Sequence, residues 1–168
     1  CNADGERREC TELMKELGLD AVRFRVWVDP SRHGNWNGSE DLLVKAKRAR
    51  DLDMAVMVDF HYSDFWADPG KQRMPKAWVG LDEEGLTRVV YDYTAQVLET
   101  LEREDLLPQM VAVGNEISKG LLWPVGKTPN FRAIARLLSA GIRAVRERAP
   151  QAQVMLHLDN GGNNQLYR

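Results

Sequence analysis

The sequence is poor in cysteine and contains no long hydrophobic run. Its 168 residues include two cysteines, Cys1 and Cys10, which are too few for a disulfide framework. We expect both to be free thiols, with a bond between them as the alternative. No apolar stretch approaches the roughly 20 residues that a membrane-spanning helix needs, so we expect no membrane partner. The first residues also lack the apolar region of a signal peptide, which leaves the question of export open.

An excess of charge of one sign is also lacking. The chain has 23 Lys and Arg against 25 Asp and Glu, which gives a formal net charge of −2 at pH 7. The basic residues are spread along the predicted helices rather than massed in one block, so we expect no nucleic-acid partner. The hydrophobic content of 43% is ordinary for a globular protein, and the length suits one domain with its own core. We therefore treat residues 1–168 as one domain.

Segments typical of strands and helices alternate along the chain. Runs rich in Val and aromatic residues predict strands over residues 21–28, 55–61, 110–116 and 154–159. Apolar residues at helical spacing predict helices over residues 6–17, 39–49, 86–101 and 131–145. Gly18 suits the left-handed position after the first helix, Ser39 is a candidate cap for the second, and Pro150 stops the fourth. Such alternation predicts an α/β fold with a parallel sheet.

The strands favour a barrel over an open sheet. Central strands of an open parallel sheet are covered on both faces and tend to be apolar throughout. In the first predicted strand, however, Val22, Phe24 and Val26 alternate with Arg23 and Arg25. One face therefore suits packing against helices, whereas the other becomes polar toward the end of the strand. This pattern is typical of a (β/α) barrel with an active site at the mouth of its interior.

Two strand ends carry the residues of a candidate active site. The stretch VAVGNEIS, residues 111–118, is an apolar run that ends in Asn115 and Glu116. The stretch DFHYSDFWADPGKQ, residues 59–72, has an apolar strand followed by His, Asp, Tyr and Trp. Side chains at the carboxyl ends of parallel strands are presented where a ligand can reach them. Together these stretches indicate an enzyme that acts on carbohydrate.

Four motifs give the chain a family resemblance. RFRVWVDP, DFHYSDFWADPGKQRMPKAW, VAVGNEISKGLLWPVG and VMLHLDNG occur in this order and together resemble glycoside hydrolase family 53, the endo-β-1,4-galactanases. The resemblance covers essentially the whole chain, and its second and third motifs are long and specific. It implies a (β/α)8 TIM barrel that hydrolyses pectic galactan, or type I arabinogalactan, at internal bonds.

The resemblance also implies roles for individual residues. Glu116 would be the general acid/base, Asn115 would contact the sugar 2-hydroxyl, and Arg25 would support the catalytic carboxylates. The remaining implied residues bind substrate as polar walls, as neighbours of the sugar or as stacking platforms: His61, Asp64, Trp66, Trp123, His157, Asp159 and Asn160. No metal and no cofactor are expected. The partner would be the polysaccharide β-1,4-galactan, and the enzyme would be secreted or held at the cell surface.

The chain departs from the family in its extent. A retaining glycosidase needs a second carboxyl group about 5 Å from the first, and the family takes this nucleophile from the seventh strand. In the numbering of the family, the four predicted strands are strands two to five, because the first helix is the one that would follow strand one. A whole barrel takes about 250 residues. We therefore expect about the first half of the barrel, inactive by itself. Unpaired edge strands would make such a piece prone to self-association.

Several of these residues have structural alternatives. Glu116 could instead cap the following helix, because acids suit helix N-termini. Arg23 is better explained as the partner of Asp59 in a buried ion pair. His61 and His157 could suggest a metal, but the sequence has no HExxH motif and no comparable spacing of metal ligands. We therefore interpret them as hydrogen-bonding walls of the site.

The tryptophans and the function also have alternatives. Any tryptophan could belong to the core, and we interpret Trp36 and Trp78 as structural. Trp66 and Trp123 instead lie in loops after strands, where site residues gather. The function could be that of a retaining glycosidase acting on mannan or cellulose. A half-barrel that binds sugar, or a folding unit without chemistry, is the alternative outside enzymes.

Overall fold

The computed structural model describes residues 5–165, in which four strands and four helices alternate. The elements are α1 Cys10–Glu16, β1 Ala21–Val26, α2 Ser39–Asp51, β2 Ala55–Phe60, α3 Glu83–Glu102, β3 Met110–Val113, α4 Phe131–Arg148 and β4 Gln153–Met155, with short 3-10 helices at Ser31–His33 and Lys76–Trp78. Cys10 is exposed, whereas Cys1 and any bond to it lie outside the described residues. Within the described part of the chain, no helix is both long and apolar enough to cross a membrane.

The four strands form one parallel sheet in the order β1-β2-β3-β4. Each strand pairs with the next one along the chain, and the order never reverses. Doubly wound open sheets have such a reversal at their switch point, whereas a barrel adds strands in sequence. The observed order therefore agrees with the barrel predicted from the sequence.

The two faces of the sheet differ as predicted. Because residues paired in register share a face, Val26 and Phe60 lie beside Val113 on the side that packs against the helices, and all three are buried. The opposite face carries Arg25 beside Asp59. Burial of the apolar face in the core stabilises the layer of strands and helices. The polar face is left to form a site.

Three of the helix ends are capped in ways that the sequence pattern only partly predicts. Gly18 follows Leu17, the C-cap residue of α1, with a φ of 89°, as expected, although α1 is shorter than the predicted helix. The prediction that Ser39 caps α2 is wrong, because Ser39 is the first helical residue and Gly38 occupies the cap position. Asn130 caps α4 by accepting a hydrogen bond from the Ala133 N–H.

All four strands end earlier than the sequence predicts. The third strand stops at Val113 because Gly114 turns the chain with a φ of 90°, where a Cβ atom would lie 2.7 Å from Cγ2 of Ile117. The fourth strand ends at Met155, so Leu156 is about half exposed, at 48%, rather than packed on an apolar face. Apart from Arg25, which lies in β1, the polar residues of the predicted site therefore lie in loops beyond the strands.

Gly141 of α4 is tightly enclosed, and we expect the substitution Gly141→Ala to destabilise the fold. A Cβ atom there would lie 2.6 Å from Cγ1 of Val113 and 2.7 Å from the Tyr62 hydroxyl. Such overpacking typically costs about 1–3 kcal/mol, which exceeds the gain of about 1 kcal/mol in helix propensity. Urea denaturation should show a lower free energy of unfolding. The exposed substitution Ser139→Ala on the same helix is the control, and an equally stable Gly141→Ala would contradict the packing.

The strands β1 and β4 are the edges of the sheet in the described residues, and we expect the 168-residue chain to self-associate. Light scattering should give a mass above that of a monomer. Leu156→Lys, next to the β4 edge, should lower that mass because a charge opposes burial of this surface. Val44→Lys, at an exposed position of α2, should not. A stable monomer at all concentrations would refute the expectation.

Candidate active site

The buried carboxylate of Asp59 lies at the base of the polar residues that follow the strands. Its side chain is 0% exposed, and its Oδ2 atom is 3.1 Å from Nη1 of Arg23, the ion pair that the sequence predicts. The same oxygen is 3.9 Å from Nε2 of His61 and 4.0 Å from Nδ1 of His157. Its Oδ1 atom is buried and, among the described residues, has no hydrogen-bond partner. One carboxylate thus faces groups from β1 and from the loops after β2 and β4.

Burial controls the ionisation of Asp59. It raises the pKa of Asp59 to about 7, although the positive charges of Arg23 and Arg25 oppose this rise. The negative charge of Glu116 raises the pKa further. A hydrogen-bonded carboxylate would resist protonation, so the unpartnered oxygen agrees with this direction.

His61 is buried and neutral. Burial lowers the pKa of His61 to about 3, and the charges of Arg25 and Arg23 act in the same direction. Its Nδ1 atom accepts a hydrogen bond of 3.1 Å from the N–H of Ala67. The proton of the neutral ring must therefore be on Nε2, the atom that faces Asp59.

The side-chain amide of Asn115 is fixed at both ends. Its Nδ2 donates to the carbonyl of Ala67 at 2.8 Å, and its Oδ1 lies 2.7 Å from Nδ1 of His157. Because a carbonyl only accepts, the amide cannot be turned around, and Nδ1 of His157 must be the donor. The Ala67 peptide thus joins His61 to Asn115.

Glu116 has a left-handed backbone directly after the turn at Gly114. Its φ is 50°, a conformation that non-glycine residues rarely adopt and that often marks functional sites. Its side chain is partly buried. The alternative that Glu116 caps the next helix is wrong, since α4 begins at Phe131 and is capped by Asn130.

Arg25 stacks on an aromatic cluster beside this centre. Its guanidinium carbon lies 4.0 Å from the centre of the Trp66 ring, and the ring centres of Trp66 and His61 are 5.6 Å apart. Burial, followed by the charge of Arg23, lowers the pKa of Arg25. Trp66 is 38% exposed, so part of its ring is open to a ligand.

The other predicted substrate-binding residues lie around this centre rather than in it. The Trp123 ring has Nζ of Lys127 at 4.4 Å from its centre, and its Nε1 donates to the carbonyl of Lys119 at 3.0 Å. The backbone N–H of Asp159 donates to Oγ of Ser118, and the amide of Asn160 donates to the Asp159 carboxylate. A hydrogen bond with Ser118 lowers the pKa of Asp159.

Asp64 holds two loops together. Its Oδ1 accepts from the N–H of Asp29 at 3.0 Å, and its Oδ2 accepts from the N–H of Lys76 at 2.8 Å. Of the two tryptophans interpreted as structural, Trp78 is buried in the core, but Trp36 is exposed. Among residues 5–165, no three His, Cys, Asp or Glu side chains are grouped so as to hold a metal ion.

Sequence reasoning missed two contributors to this arrangement. The peptide of Ala67 bridges His61 and Asn115, and the buried side chain of Gln72 contacts the backbone of Asn115 and Glu116. Neither carries a signal in the sequence, because an alanine peptide and a glutamine in a loop are common in any protein.

The chain is similar to known proteins in both sequence and fold. The model of the family described as glycosyl hydrolase family 53 matches residues 1–168. Arabinogalactan endo-beta-1,4-galactanase A of Aspergillus niger is 42% identical over 165 residues, which are 95% of this chain and 46% of that protein. The chain spans about half the length of the curated relatives it matches.

Solved structures agree with the fold. The GH53 catalytic domain of Ignisphaera aggregans has a TM-score of 0.91 and 37% identity, covering 98% of this chain and 47% of that one. A structure from a study of two fungal beta-1,4-galactanases has the same TM-score and identity, and the match covers 98% of this chain and 49% of that one. The predicted fold class, a barrel of which about half is present, is confirmed. Because the family model matches the chain from end to end, this chain belongs to glycosyl hydrolase family 53.

Proposed function

We propose that this chain forms the acid/base half of an endo-β-1,4-galactanase, with Glu116 as the general acid/base. The observation that carries the proposal is the position of Glu116, partly buried in a left-handed turn at the carboxyl end of β3, beside the fixed amide of Asn115. Relatives that are 40–42% identical and are named arabinogalactan endo-beta-1,4-galactanases support the choice of substrate.

The reaction proposed is retaining hydrolysis with two carboxyl groups. Glu116 would protonate the oxygen of the leaving sugar and then activate water, while a second carboxylate about 5 Å away forms the covalent glycosyl intermediate. That nucleophile would belong to the half of the relatives' length that this chain does not span. The 168-residue chain would therefore bind sugar weakly and hydrolyse nothing.

The neighbours of Glu116 would orient the sugar. One hydrogen of the Asn115 amide is used by Ala67, which leaves the second for a sugar hydroxyl. With its Nδ1 proton directed at Asn115, a neutral His157 would offer Nε2 as an acceptor. Arg25, stacked on Trp66, would place a fixed positive charge near the carboxylates.

Sugar stacking would fall to Trp66, which is exposed, and to Trp123, which is partly buried. Trp66 would present the part of its ring that is open, and Trp123 would extend the binding surface with Asp159 and Asn160 near its rim. We assign Asp64 to holding the loops, because backbone N–H groups engage both of its oxygens. A polymer such as galactan cannot readily enter a cell, so we infer that the enzyme is secreted or acts at the cell surface.

The proposed role of Glu116 can be tested by Glu116→Gln in a polypeptide that contains this chain and extends to the length of its relatives. Release of reducing sugar from β-1,4-galactan should fall by about 100-fold or more, as expected on losing a general acid. The control is Glu102→Gln, an exposed position at the end of α3. Cellulose and mannan should be left intact. Full activity of Glu116→Gln, or cleavage of mannan or cellulose instead of galactan, would contradict the proposal.

The buried side chains of Asp59 and His61 should change the free energy of unfolding in opposite directions as the pH rises. Burial raises the pKa of Asp59 from 3.8 to about 7, so the folded state binds this proton more tightly and stability falls as the pH rises through that window. Burial lowers the pKa of His61 from 6.5 to about 3, so stability from this group rises with pH through that window.

Between pH 3.8 and 6.5 the two effects should largely cancel in the wild-type chain. Asp59→Asn leaves only the His61 effect, so stability should then rise with pH by up to about 1.4 kcal/mol per unit. Denaturation curves across this range measure the slope. Parallel curves for the wild type and Asp59→Asn would show that Asp59 does not titrate there.

A further inference from the structure

Gln72 is a buried amide that contacts the backbone of both residues in the Asn-Glu pair. It lies in the loop between β2 and the 3-10 helix at Lys76–Trp78, and it is 2% exposed. Its Nε2 atom donates to the carbonyl of Asn115 at 2.9 Å and lies 3.3 Å from the carbonyl of Glu116. The carbonyl of Asp68 is also 3.3 Å from this nitrogen. Three carbonyls therefore converge on one NH2 group.

These contacts compensate for the abrupt end of β3. The strand stops at Val113, and the carbonyls that follow it leave the ladder of the sheet. A buried carbonyl without a donor is destabilising, and the left-handed φ of 50° at Glu116 adds strain of about 1 kcal/mol or more. The amide of Gln72 supplies the donor at the point where the backbone is most constrained.

The contact is reinforced from both sides. The loop that carries Gln72 also provides the Ala67 carbonyl, which accepts from the side chain of Asn115 at 2.8 Å. The carbonyl of Gln72 accepts from the N–H of Trp123 at 2.8 Å. The segment 67–72 therefore holds the residues that follow β3 through hydrogen bonds with the side chain of Asn115 and with the backbone of Asn115 and Glu116.

We propose that Gln72 is a positioning residue that fixes the direction of the Glu116 carboxyl group by holding the carbonyls of Asn115 and Glu116. The inference rests on the proposed acid/base role of Glu116. A glutamate at position 72 would direct an acceptor at carbonyls that also only accept, and a methionine of similar shape would remove the donor without adding charge.

The kinetic test compares two leaving groups in the polypeptide of the relatives' length. A sugar leaving group needs a proton from the general acid, whereas a dinitrophenyl group departs without one. Gln72→Met should lower kcat/KM on galactan by about tenfold or more, since small misplacements of a reacting group are costly. On dinitrophenyl β-galactobioside kcat/KM should be unchanged. Gln72→Glu should show the same selectivity with a larger loss.

The matched control is Gln96→Met, at an exposed position of α3. It should leave kcat/KM unchanged on both substrates. An equal loss on both substrates by Gln72→Met would mean that the residue supports only folding, and that result would overturn the proposal. Unchanged kcat/KM on galactan would also overturn it.

A second measurement separates this inference from the proposed function. In NMR spectra of the 168-residue chain, the side-chain NH2 of Gln72 should exchange with solvent far more slowly than that of exposed Gln96. Gln72→Met should shift the backbone amide signals of residues 115–117, whereas Gln96→Met should not. If the wild type hydrolyses neither substrate, the proposed function fails, and these spectra alone decide whether Gln72 holds the Glu116 backbone. Rapid exchange of the Gln72 amide would refute the contact.

Discussion

The arrangement of the site depends on the fixed side-chain amide of Asn115. Through its Nδ2 it binds the Ala67 carbonyl in the loop after β2, and through its Oδ1 it binds His157 after β4. It is itself part of the turn that ends β3. Three consecutive strand ends are thus tied together by one side chain. Because the Ala67 carbonyl can only accept, this single bond determines the orientation of the amide and with it the proton position on His157.

The buried carboxylate of Asp59 is the centre of the charged groups in the site. Asp59 holds Arg23 at 3.1 Å and faces both histidine rings near 4 Å. Burying a charge is costly, and the positive charges of Arg23 and Arg25 only partly offset that cost, so burial still raises the pKa of Asp59. The same burial keeps His61 neutral. The ionisation of Asp59 and His61 therefore depends on both desolvation and the charges of their neighbours, and these side chains do not behave independently.

The backbone around Glu116 carries local strain that its surroundings support. Gly114 turns the chain where a side chain would collide with Ile117, and Glu116 follows in a left-handed conformation. The carbonyls released by this turn are bound by Gln72. A residue held in this way has little freedom to reorient, which is the property that a proton donor in a pre-organised site needs.

Local pattern in the sequence was sufficient for the alternation of strands and helices, because spacing and residue type act over a few neighbours. It also predicted the apolar and polar faces of β1 and β2, and the motifs around His61 and Glu116 identified the family. The exact strand ends, the exposure of Leu156 and the structural role of Asp64 were not predictable. Each depends on contacts with segments that are distant in sequence.

The sequence by itself thus determined the parallel α/β fold, the family and the position of Glu116 at a strand end. Only the tertiary structure decided the environment of the side chains. It buries the carboxylate of Asp59, places the protons on His61 and His157, and brings the Gln72 amide to the backbone carbonyl of Glu116. The physical reason is that desolvation and hydrogen-bond orientation are set by atoms packed around a group in space. A local sequence pattern therefore does not reveal which loop carbonyl will meet which amide.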